Sequence, residues 1–361
     1  MQLKALSVRD VRRVRVAEIR PCAGTNLICG PNGSGKTSLL ESIHFLATGR
    51  SFRTARVSDV ISHGKKALVV NGELTNRAGL ANRVGIEKTS TATRIRFNGE
   101  AVTVASAIAR LIPIITFSTD SYSLLAGGPA NRRALLDRLL FHVEHEYLMV
   151  LKSYHRGLKQ RNTLLRFRAE RTQAANWHEQ ISVAADRLDR WRLDCVSKIN
   201  EYLGETPSSS VVGPLSLEYR RGWRASRRLG DLLDENWAKD REIGTTTTGP
   251  HRGELRITIG GKPAKSTVSR GQGKLIIAAI VAAQASYLSE NALEQPILLV
   301  DDLAAELDRS ARELAIRNLL STKAQTFLTA IEATDLSESL RESARMFHVE
   351  QGEIRAMTAN G

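Results

Sequence analysis

The residues best suited to chemistry lie in the run Gly30-Pro31-Asn32-Gly33-Ser34-Gly35-Lys36-Thr37, which matches the pattern GxxxxGK[ST]. Its three glycines let the backbone fold around an anion with the N–H groups pointing inward, and a helix starting at this point adds partial positive charge. In such a loop the lysine reaches the β- and γ-phosphates and the threonine hydroxyl lies on Mg²⁺. The run, with Ser38 after it, therefore predicts a site for a nucleoside triphosphate.

A second chemical feature is the pair Asp301-Asp302, which follows the four apolar residues 297–300. This pattern predicts a buried strand that delivers two carboxylates to the edge of the sheet where the phosphate loop also lies. Asp301 would hold Mg²⁺ through water, and Asp302 would orient or deprotonate an attacking water. Alone the pattern is weak, because strands followed by acidic turns are common.

A third feature is Ser269-Arg270-Gly271-Gln272, which lies 32 residues before Asp301 (301 − 269) and precedes an apolar helix. A hydroxyl and a flexible glycine at a helix N-terminus predict a second anion site. The run Glu306-Leu307-Asp308 follows the carboxylates closely.

The surrounding pattern predicts the elements that position these residues. Residues 26–29 read as a short buried strand ahead of the loop, and apolar residues recur at helical spacing after it. The first part of the chain is mixed α/β, with a hairpin turn at Asn98-Gly99 and a strand across 111–117 whose Pro113 favours an edge position. Residues 132–203 then have helical periodicity, broken only near 172–176, which predicts an antiparallel helical hairpin.

These patterns predict an α/β ATPase head assembled from both ends of the chain, residues 1–119 and 211–361. A helical lobe occupies residues 120–210 between them. The loop at 206–213 marks the return of β character.

Composition restricts the class of protein. A net charge of +14 and a pI of about 10.0 predict an acidic polymer as partner, with nucleic acid favoured over membrane surfaces and acidic proteins. Three cysteines without paired or metal-ligand spacing predict a reducing cytoplasm. We expect no signal peptide and no membrane association, since the longest apolar run, 275–283, is too short to cross a bilayer.

Two basic clusters are candidate DNA contacts. Lys152, Arg156, Lys159 and Arg161 lie in the first long helix, and Arg221 and Arg224 flank Trp223 in a later loop. A helix can set several cations at the spacing of backbone phosphates, but a charge run is also typical of a solvated face. An aromatic residue among arginines suits nucleic acid and equally an exposed loop. Both interpretations stay open for each cluster.

The order of phosphate loop, helical insertion, Ser269 signature, paired aspartates and Glu306-Leu307-Asp308 resembles the ABC and SMC-type ATPases. Within that group the chain is most similar to the RecF family of bacterial recombination mediators. The similarity rests on short runs in a shared order: 30–37, 51–53, 127–129 with 132–133 and 137, 219–223, 249–252, 269–272 with 274–275, 301–302, 306–308 and 346–350.

The resemblance implies an ATP-dependent DNA-binding protein of the cytoplasm and nucleoid that dimerises on ATP and prefers duplex or gapped DNA. It also implies partnership with RecO and RecR in loading RecA. By the same analogy Lys36, Thr37 and Asp301 hold phosphate and Mg²⁺, and Asp302 serves the hydrolytic water. Ser269 would contact the nucleotide held by a second subunit, and Arg270, Gly271, Gln272 and Asp308 are further expected nucleotide-binding residues.

Some positions depart from the group pattern. Gly273 in the first turn of the signature helix predicts a late or loose helix start, because glycine is a poor helix former. Ala305 replaces a frequent serine, no histidine follows the strand 326–329, and Asp302 is shorter than the glutamate of transporter ATPases. Together these departures predict slow hydrolysis that acts as a switch.

Three other classes fit parts of the pattern. They are the ATPase subunit of a transporter, a structural chromosome protein of SMC type and a P-loop kinase. Two sets of histidines are also ambiguous: His142, His145 and Glu146 could bind metal or be ordinary helix residues, and His251 could contact phosphate or brace a turn.

Overall fold

The structure is a computed structural model that describes residues 1–206, 213–303 and 307–357. It divides into two compact units. The first, the head unit, contains Met1–Tyr122 and the described residues after Thr267, with 205–206. The second, the helical unit, contains Ser123–Gly204 and Gly213–Thr267.

The strands are β1 (Gln2–Val11), β2 (Val14–Ile19), β3 (Thr25–Cys29), β4 (Ala67–Thr75), β5 (Ala81–Thr89), β6 (Thr93–Phe97), β7 (Glu100–Val102), β8 (Ile114–Phe117), β9 (Leu215–Arg220), β10 (Glu254–Ile259), β11 (Lys262–Pro263), β12 (Ile297–Val300), β13 (Gln325–Ala330), β14 (Arg345–Glu350) and β15 (Glu353–Ala356). The α-helices are α1 (Lys36–Thr48), α2 (Ala105–Leu111), α3 (Ser123–Ala126), α4 (Pro129–Val143), α5 (Tyr147–Arg166), α6 (Ala175–Gly204), α7 (Leu229–Glu235), α8 (Trp237–Ile243), α9 (Arg270–Asn291), α10 (Arg309–Leu320) and α11 (Glu338–Ser343).

The head unit contains two six-stranded sheets. One is antiparallel in the order β2-β1-β4-β5-β6-β7. The other has the order β15-β14-β3-β13-β12-β8, and all its strands except β15 run parallel. The predicted hairpin at Asn98-Gly99 and the edge position of the strand after Pro113 are confirmed.

The parallel sheet positions the chemistry. Strand β3, which leads into the phosphate loop, lies between β13 and β14, so Cys29 is opposite Ala330 on one side and His348 on the other. Strand β12 is next to β13 and ends at Val300. Because parallel strands end at one edge of the sheet, residues from positions 30, 301 and 329 meet there.

Helix α1 packs against both sheets. Its residues Leu39, Leu40, Ile43 and Leu46 are fully buried in a hydrophobic core that also contains residues of the two sheets. Helix α9 is buried along most of its length, as expected from a sequence that is apolar on every face. Within the described residues, no helix is long and apolar enough to span a membrane.

The helical unit is larger than the sequence predicted, because the segment Gly213–Thr267 belongs to it and not to the head. The physical reason is pairing: β9 pairs with β10 along six residue positions, and Asn200 of α6 hydrogen-bonds both backbone groups of Leu217 in β9. The helical region also has a second break, at residues 144–146, which the periodicity did not reveal. The loop at 206–213 lies mostly outside the described residues.

The helices α5 and α6 form the predicted antiparallel hairpin. Gly157 lets them approach closely, since a Cβ at this position would lie 2.8 Å from the Ile181 side chain.

Candidate nucleotide-binding site

The loop between β3 and α1 has a backbone that its glycines make possible. Gly30 has φ +150° and Gly35 has φ +122°, a region that side chains rarely adopt. A Cβ on Gly30 would also lie 2.1 Å from the Val349 carbonyl oxygen of β14. The first turn of α1, which begins at Lys36, leaves backbone N–H groups without intrahelical acceptors, as an anion site requires.

Three neighbouring segments hold this loop in place. The Gly30 N–H donates to the Ile331 carbonyl at 3.1 Å, and the Gly352 N–H of the β14–β15 turn donates to the Ser34 carbonyl at 2.8 Å. The Arg13 guanidinium of the β1–β2 turn donates to the Gly33 carbonyl at 2.7 Å. The loop is therefore fixed by two backbone hydrogen bonds, to Ile331 and Gly352, and by one arginine side chain.

Lys36 lies over the loop. Its ammonium donates to the carbonyl oxygens of Gly30 at 2.7 Å and Pro31 at 2.9 Å. Burial lowers the pKa of Lys36, while the nearby charges of Asp301 and Asp302 act in the opposite direction. A partly desolvated cation bound only to neutral carbonyls is suited to a phosphate anion.

The residues predicted to hold magnesium meet at the sheet edge. The hydroxyls of Thr37 and Thr329 both donate to Oδ1 of Asp301, each at 3.0 Å. Burial raises the pKa of Asp301, and these two hydrogen bonds partly offset the effect. A carboxylate beside a hydroxyl at the start of α1 is the oxygen donor set that suits Mg²⁺ together with phosphate.

Asp302 has a left-handed backbone conformation, with φ +52°. Its N–H donates to the Thr329 hydroxyl at 2.9 Å, and its carboxylate is exposed. Thr329 thus holds both aspartates, which the sequence alone did not indicate. Its only signal was its place at the end of a strand adjacent to the two carboxylates.

A cavity of about 1450 Å³ opens at this edge of the head unit. Asn32, Gly33, Gly35, Lys36, Thr37, Ser38, Asp301, Asp302 and Thr329 contribute to its lining, as do Arg12, Arg13 and Arg53. Arg12 forms an ion pair with Glu41 of α1, whose side chain is fully buried and also accepts from the Ser51 hydroxyl. Arg12 and Arg13 were missed because the sequence gives no sign that the β1–β2 turn touches the phosphate loop.

The Ser269 signature forms the N-terminus of α9. Ser269 and Gln272 make a reciprocal capping box, in which the Gln272 N–H donates to the Ser269 hydroxyl at 3.3 Å and the Ser269 N–H to the Gln272 side chain at 3.0 Å. The expectation that Gly273 delays or loosens the helix is wrong, because the capped helix begins at Arg270.

The signature and the phosphate loop do not share a cavity. Ser269, Arg270 and Gln272 are exposed, Gly271 is half-buried, and none of them is among the described residues that line the 1450 Å³ cavity. Asp308 is likewise exposed and caps α10 by accepting from the Ala311 N–H at 2.8 Å. Ala305 and Glu306 lie outside the described residues.

The first basic cluster divides into two kinds of residue. Lys152, Arg156 and Lys159 are exposed on α5, as a phosphate-contacting face requires. Arg161 is fully buried, and its guanidinium donates to Asp240, Thr246, His178 and the Leu233 carbonyl at 2.7–3.0 Å. The prediction that Arg161 contacts DNA is therefore wrong, because Arg161 lies on the buried face of α5 together with Tyr154 and Gly157.

The second cluster is also divided. Arg224 is exposed, whereas Arg221 stacks on Trp223 at 4.0 Å and pairs with Asp189 at 2.8 Å. The side chain of Arg221 is 23% exposed. Its charge is already used within the unit, so Arg221 is a poor DNA contact and Arg224 stays a prediction.

The structure bears on the roles of the histidines that the sequence left ambiguous. Nε2 of His251 donates to the Thr246 carbonyl at 3.0 Å, and Nδ1 lies 2.6 Å from the Tyr154 hydroxyl, so His251 braces the segment between α8 and β10. Within residues 1–206, 213–303 and 307–357, no three His, Cys, Asp or Glu side chains cluster in a way that could hold a metal ion.

A parallel sheet with a phosphate loop after β3, paired aspartates after β12 and a capped signature helix defines the class of P-loop ATPase heads. The family model described as the RecF/RecN/SMC N terminal domain matches residues 2–355. The chain belongs to the RecF family within that group, as its relatives show.

The curated protein "DNA replication and repair protein RecF" of Shewanella baltica (strain OS223) is 37% identical over 361 residues, which cover 98% of this chain and 99% of that protein. The protein of the same name from Stutzerimonas stutzeri (strain A1501) is 36% identical and covers 98% of this chain and 97% of its own length.

Solved structures confirm the fold. The chain is similar to the recombination mediator protein RecF bound to ATP in the RecFOR pathway, with a TM-score of 0.85, 23% identity and coverage of 99% and 98% of the two chains. It also matches an SMC head bound to the C-terminal winged-helix domain of ScpA, with a TM-score of 0.64, 16% identity and coverage of 100% and 98%.

Proposed function

We propose that this protein is an ATP-dependent DNA-binding protein of recombinational repair and replication restart. Two copies sandwich ATP and close a basic surface on duplex or gapped DNA, and slow hydrolysis releases it. By its family membership it acts with RecO and RecR to help load RecA, in the cytoplasm and at the nucleoid. The curated relatives, all named for DNA replication and repair, support this function over a transporter subunit or a kinase.

One observation carries the dimeric model. The cavity of a single chain contains the phosphate loop and both aspartates, but the Ser269 signature lies elsewhere, capped and exposed to solvent. A helix N-terminus with an exposed hydroxyl is suited to binding an anion. A second copy that presents this terminus to the cavity would complete the pocket.

The residues of the cavity have separate roles in this proposal. Lys36 and the backbone N–H groups of the loop bind the phosphates, while Thr37 and Asp301 hold Mg²⁺. When bound, Mg²⁺ neutralises phosphate charge and orients the transferred group. The exposed Asp302 carboxylate orients the attacking water, and Thr329 fixes the backbone from which it projects.

ATP then controls the oligomer by mass action, because a ligand that binds the dimer better than the monomer must favour the dimer. The exposed cations Lys152, Arg156, Lys159 and Arg224 are the proposed DNA contacts. Cationic contacts of this kind suit a chain with a net charge of +14, because neutralising phosphates favours binding.

The test is sedimentation of the wild type and of Ser269→Arg, each with and without ATP and gapped DNA. We expect ATP to convert the wild type into a dimer with higher DNA affinity, and Ser269→Arg to stay monomeric while still binding ATP. Ser269→Thr keeps a capping hydroxyl, so it serves as the control in which the residue is changed but the helix cap is retained. A wild type that stays monomeric with ATP, with its DNA affinity unchanged, would refute the proposal.

A further inference from the structure

The end of the helical hairpin exposes the most solvent-accessible large apolar side chain among the described residues. Phe167 follows the last residue of α5 and is 81% exposed. Ile243, at the end of α8, is 55% exposed. The Arg166 guanidinium donates to the Gly244 carbonyl at 3.3 Å, which places the ends of these two helices side by side. We call Arg166, Phe167, Arg168, Arg171 and Ile243 the hairpin tip.

The backbone at the hairpin tip is well defined by its own hydrogen bonds. The Ala169 N–H donates to the Leu164 carbonyl at 3.0 Å and the Arg168 N–H to the Leu165 carbonyl at 3.3 Å, the pair of bonds that ends a helix in a Schellman motif. Leu165 is fully buried beneath this turn. Phe167 is therefore held outward by an ordered turn and does not fold back onto the helical unit.

Arg168 occupies the position of this motif that glycine usually fills. Its φ is +53°, a left-handed conformation that is unfavourable for a residue with a Cβ. Glycine at this position would relieve the strain, so an arginine here costs stability and supplies a cation next to Phe167.

The surroundings of Phe167 are basic. Arg166, Arg168 and Arg171 lie within four residues of it and are all exposed, with Glu170 as the one acidic residue of that stretch. Among the described side chains, Arg171 has a distant partner, Asp234 at 4.0 Å, whereas Arg166 and Arg168 make no ion pair. An exposed aromatic ring with unneutralised guanidinium groups on nearby residues of the chain is complementary to a nucleobase between two phosphates.

We propose that the hairpin tip binds an unpaired nucleotide, with Phe167 stacked on the base and Arg166 and Arg168 on the flanking phosphates. The proposal rests on the proposed DNA-binding function and specifies the kind of DNA. In intact duplex the bases are stacked on one another, so the aromatic ring has a partner only where a strand is single or a duplex ends. The hairpin tip would then direct the protein to gaps and ends.

The test compares the DNA affinities of full-length wild type, Phe167→Ala, Phe167→Leu and Phe167→Trp with ATP. The probes are a covalently closed duplex minicircle, which has neither ends nor unpaired bases, the same minicircle with a gap in one strand, and a single strand, measured by fluorescence anisotropy at one salt concentration. Since stacking on an aromatic side chain contributes about 1–3 kcal/mol per base, Phe167→Ala should weaken gapped and single-stranded binding by about 5- to 150-fold. Phe167→Trp should retain the affinity, and Phe167→Leu should lose it despite its apolar side chain.

The closed duplex separates the two proposals. Wild type and variants should bind it within about twofold of one another, because that contact is made by backbone charge elsewhere. Equal loss on all three probes, or no loss on the gapped probe, would overturn the role of the hairpin tip while leaving DNA binding intact. A wild type that binds none of the probes would overturn the proposed function itself.

Arg168→Gly gives a second, independent readout. Removing the Cβ relieves the left-handed strain, so the unfolding midpoint should stay the same or rise while gapped-DNA affinity falls. Lower stability with unchanged affinity would show that the arginine serves the fold and would refute the proposal.

Discussion

Replacing Arg161 by methionine separates a structural role from a DNA-binding one. The guanidinium makes four hydrogen bonds within the helical unit, including an ion pair with Asp240 at 2.8 Å in which both side chains are fully buried. Methionine fills similar space without the charge. It leaves the Asp240 carboxylate buried and short of one partner, although Thr247 still donates to its other oxygen.

Breaking a buried ion pair from one side costs about 3–5 kcal/mol, because the remaining charge is desolvated without compensation. A domain is stable by only about 5–15 kcal/mol, so this loss is a large share of the total. We expect a clear fall in the urea midpoint of the helical unit, measured by tryptophan fluorescence. The solvent-exposed Arg156→Met on the same helix should change stability by no more than about 0.5 kcal/mol.

Neutralising the partner tests the physical cause. In the double variant Arg161→Met, Asp240→Asn, the amide oxygen can still accept from Thr247 but the buried charge is gone. We expect the double variant to recover about 1–3 kcal/mol relative to Arg161→Met alone. If Arg161→Met kept wild-type stability and instead lowered the salt dependence of DNA binding, as loss of an arginine that contacts phosphate would, the buried position of Arg161 would be refuted.

Three further predictions concern the site, the pH response and the rate. Gly352→Ala should weaken ATP binding at least tenfold by calorimetry, since its Cβ would lie 2.2 Å from the Arg13 carbonyl under the phosphate loop. Gly99→Ala, which is also at positive φ but has open space around it, should leave ATP binding unchanged. Equal effects of the two variants would contradict the role of Gly352 in holding the phosphate loop. Burial lowers the pKa of His251 to about 4. Below about pH 6.5 the unfolded state therefore binds more protons than the folded state, and the free energy of unfolding should fall by up to about 3 kcal/mol as the pH is lowered from 6.5 to 4. A urea midpoint that does not fall over this range would contradict that sign, and His251→Gln should flatten the curve. DNA-stimulated ATP turnover should stay below about 10 s⁻¹ in a steady-state assay, and a faster rate would remove hydrolysis as a slow switch.

The parts of the candidate site that could be predicted from the sequence are those in which local residue types determine the structure. Glycine spacing identifies the phosphate loop, and an apolar run ending in Asp301 identifies a buried strand whose direction fixes where the carboxylate lies. Thr329 and Arg13 contact Asp301 and Gly33, which lie 28 and 20 positions away in the chain, and Gly352 contacts Ser34 across 318 positions (352 − 34). Periodicity within single elements contains no information about such contacts.

Errors arose where a residue's neighbours in space decided its role. Arg161 belongs by spacing to a basic run, yet a hairpin helix must turn some positions inward, and a compensating acid at Asp240 makes a buried arginine possible. Gly273 was expected to weaken the start of α9, but the local capping box outweighs its low helix propensity. The assignment of 213–267 failed because β9 packs on α6, a tertiary choice that strand propensity does not show.

The order of segments in the parallel sheet has a consequence for biosynthesis. Strand β3 ends at Cys29, whereas its two neighbours, β13 and β14, begin at Gln325 and Arg345, so both neighbours are translated long after it. In the nascent chain both edges of β3 therefore stay unpaired while the helical unit, which lies between β3 and β13 in the sequence, is translated. Arrested synthesis before residue 325 should yield a chain that cannot bind nucleotide, and such truncated products should depend on chaperones to avoid aggregation.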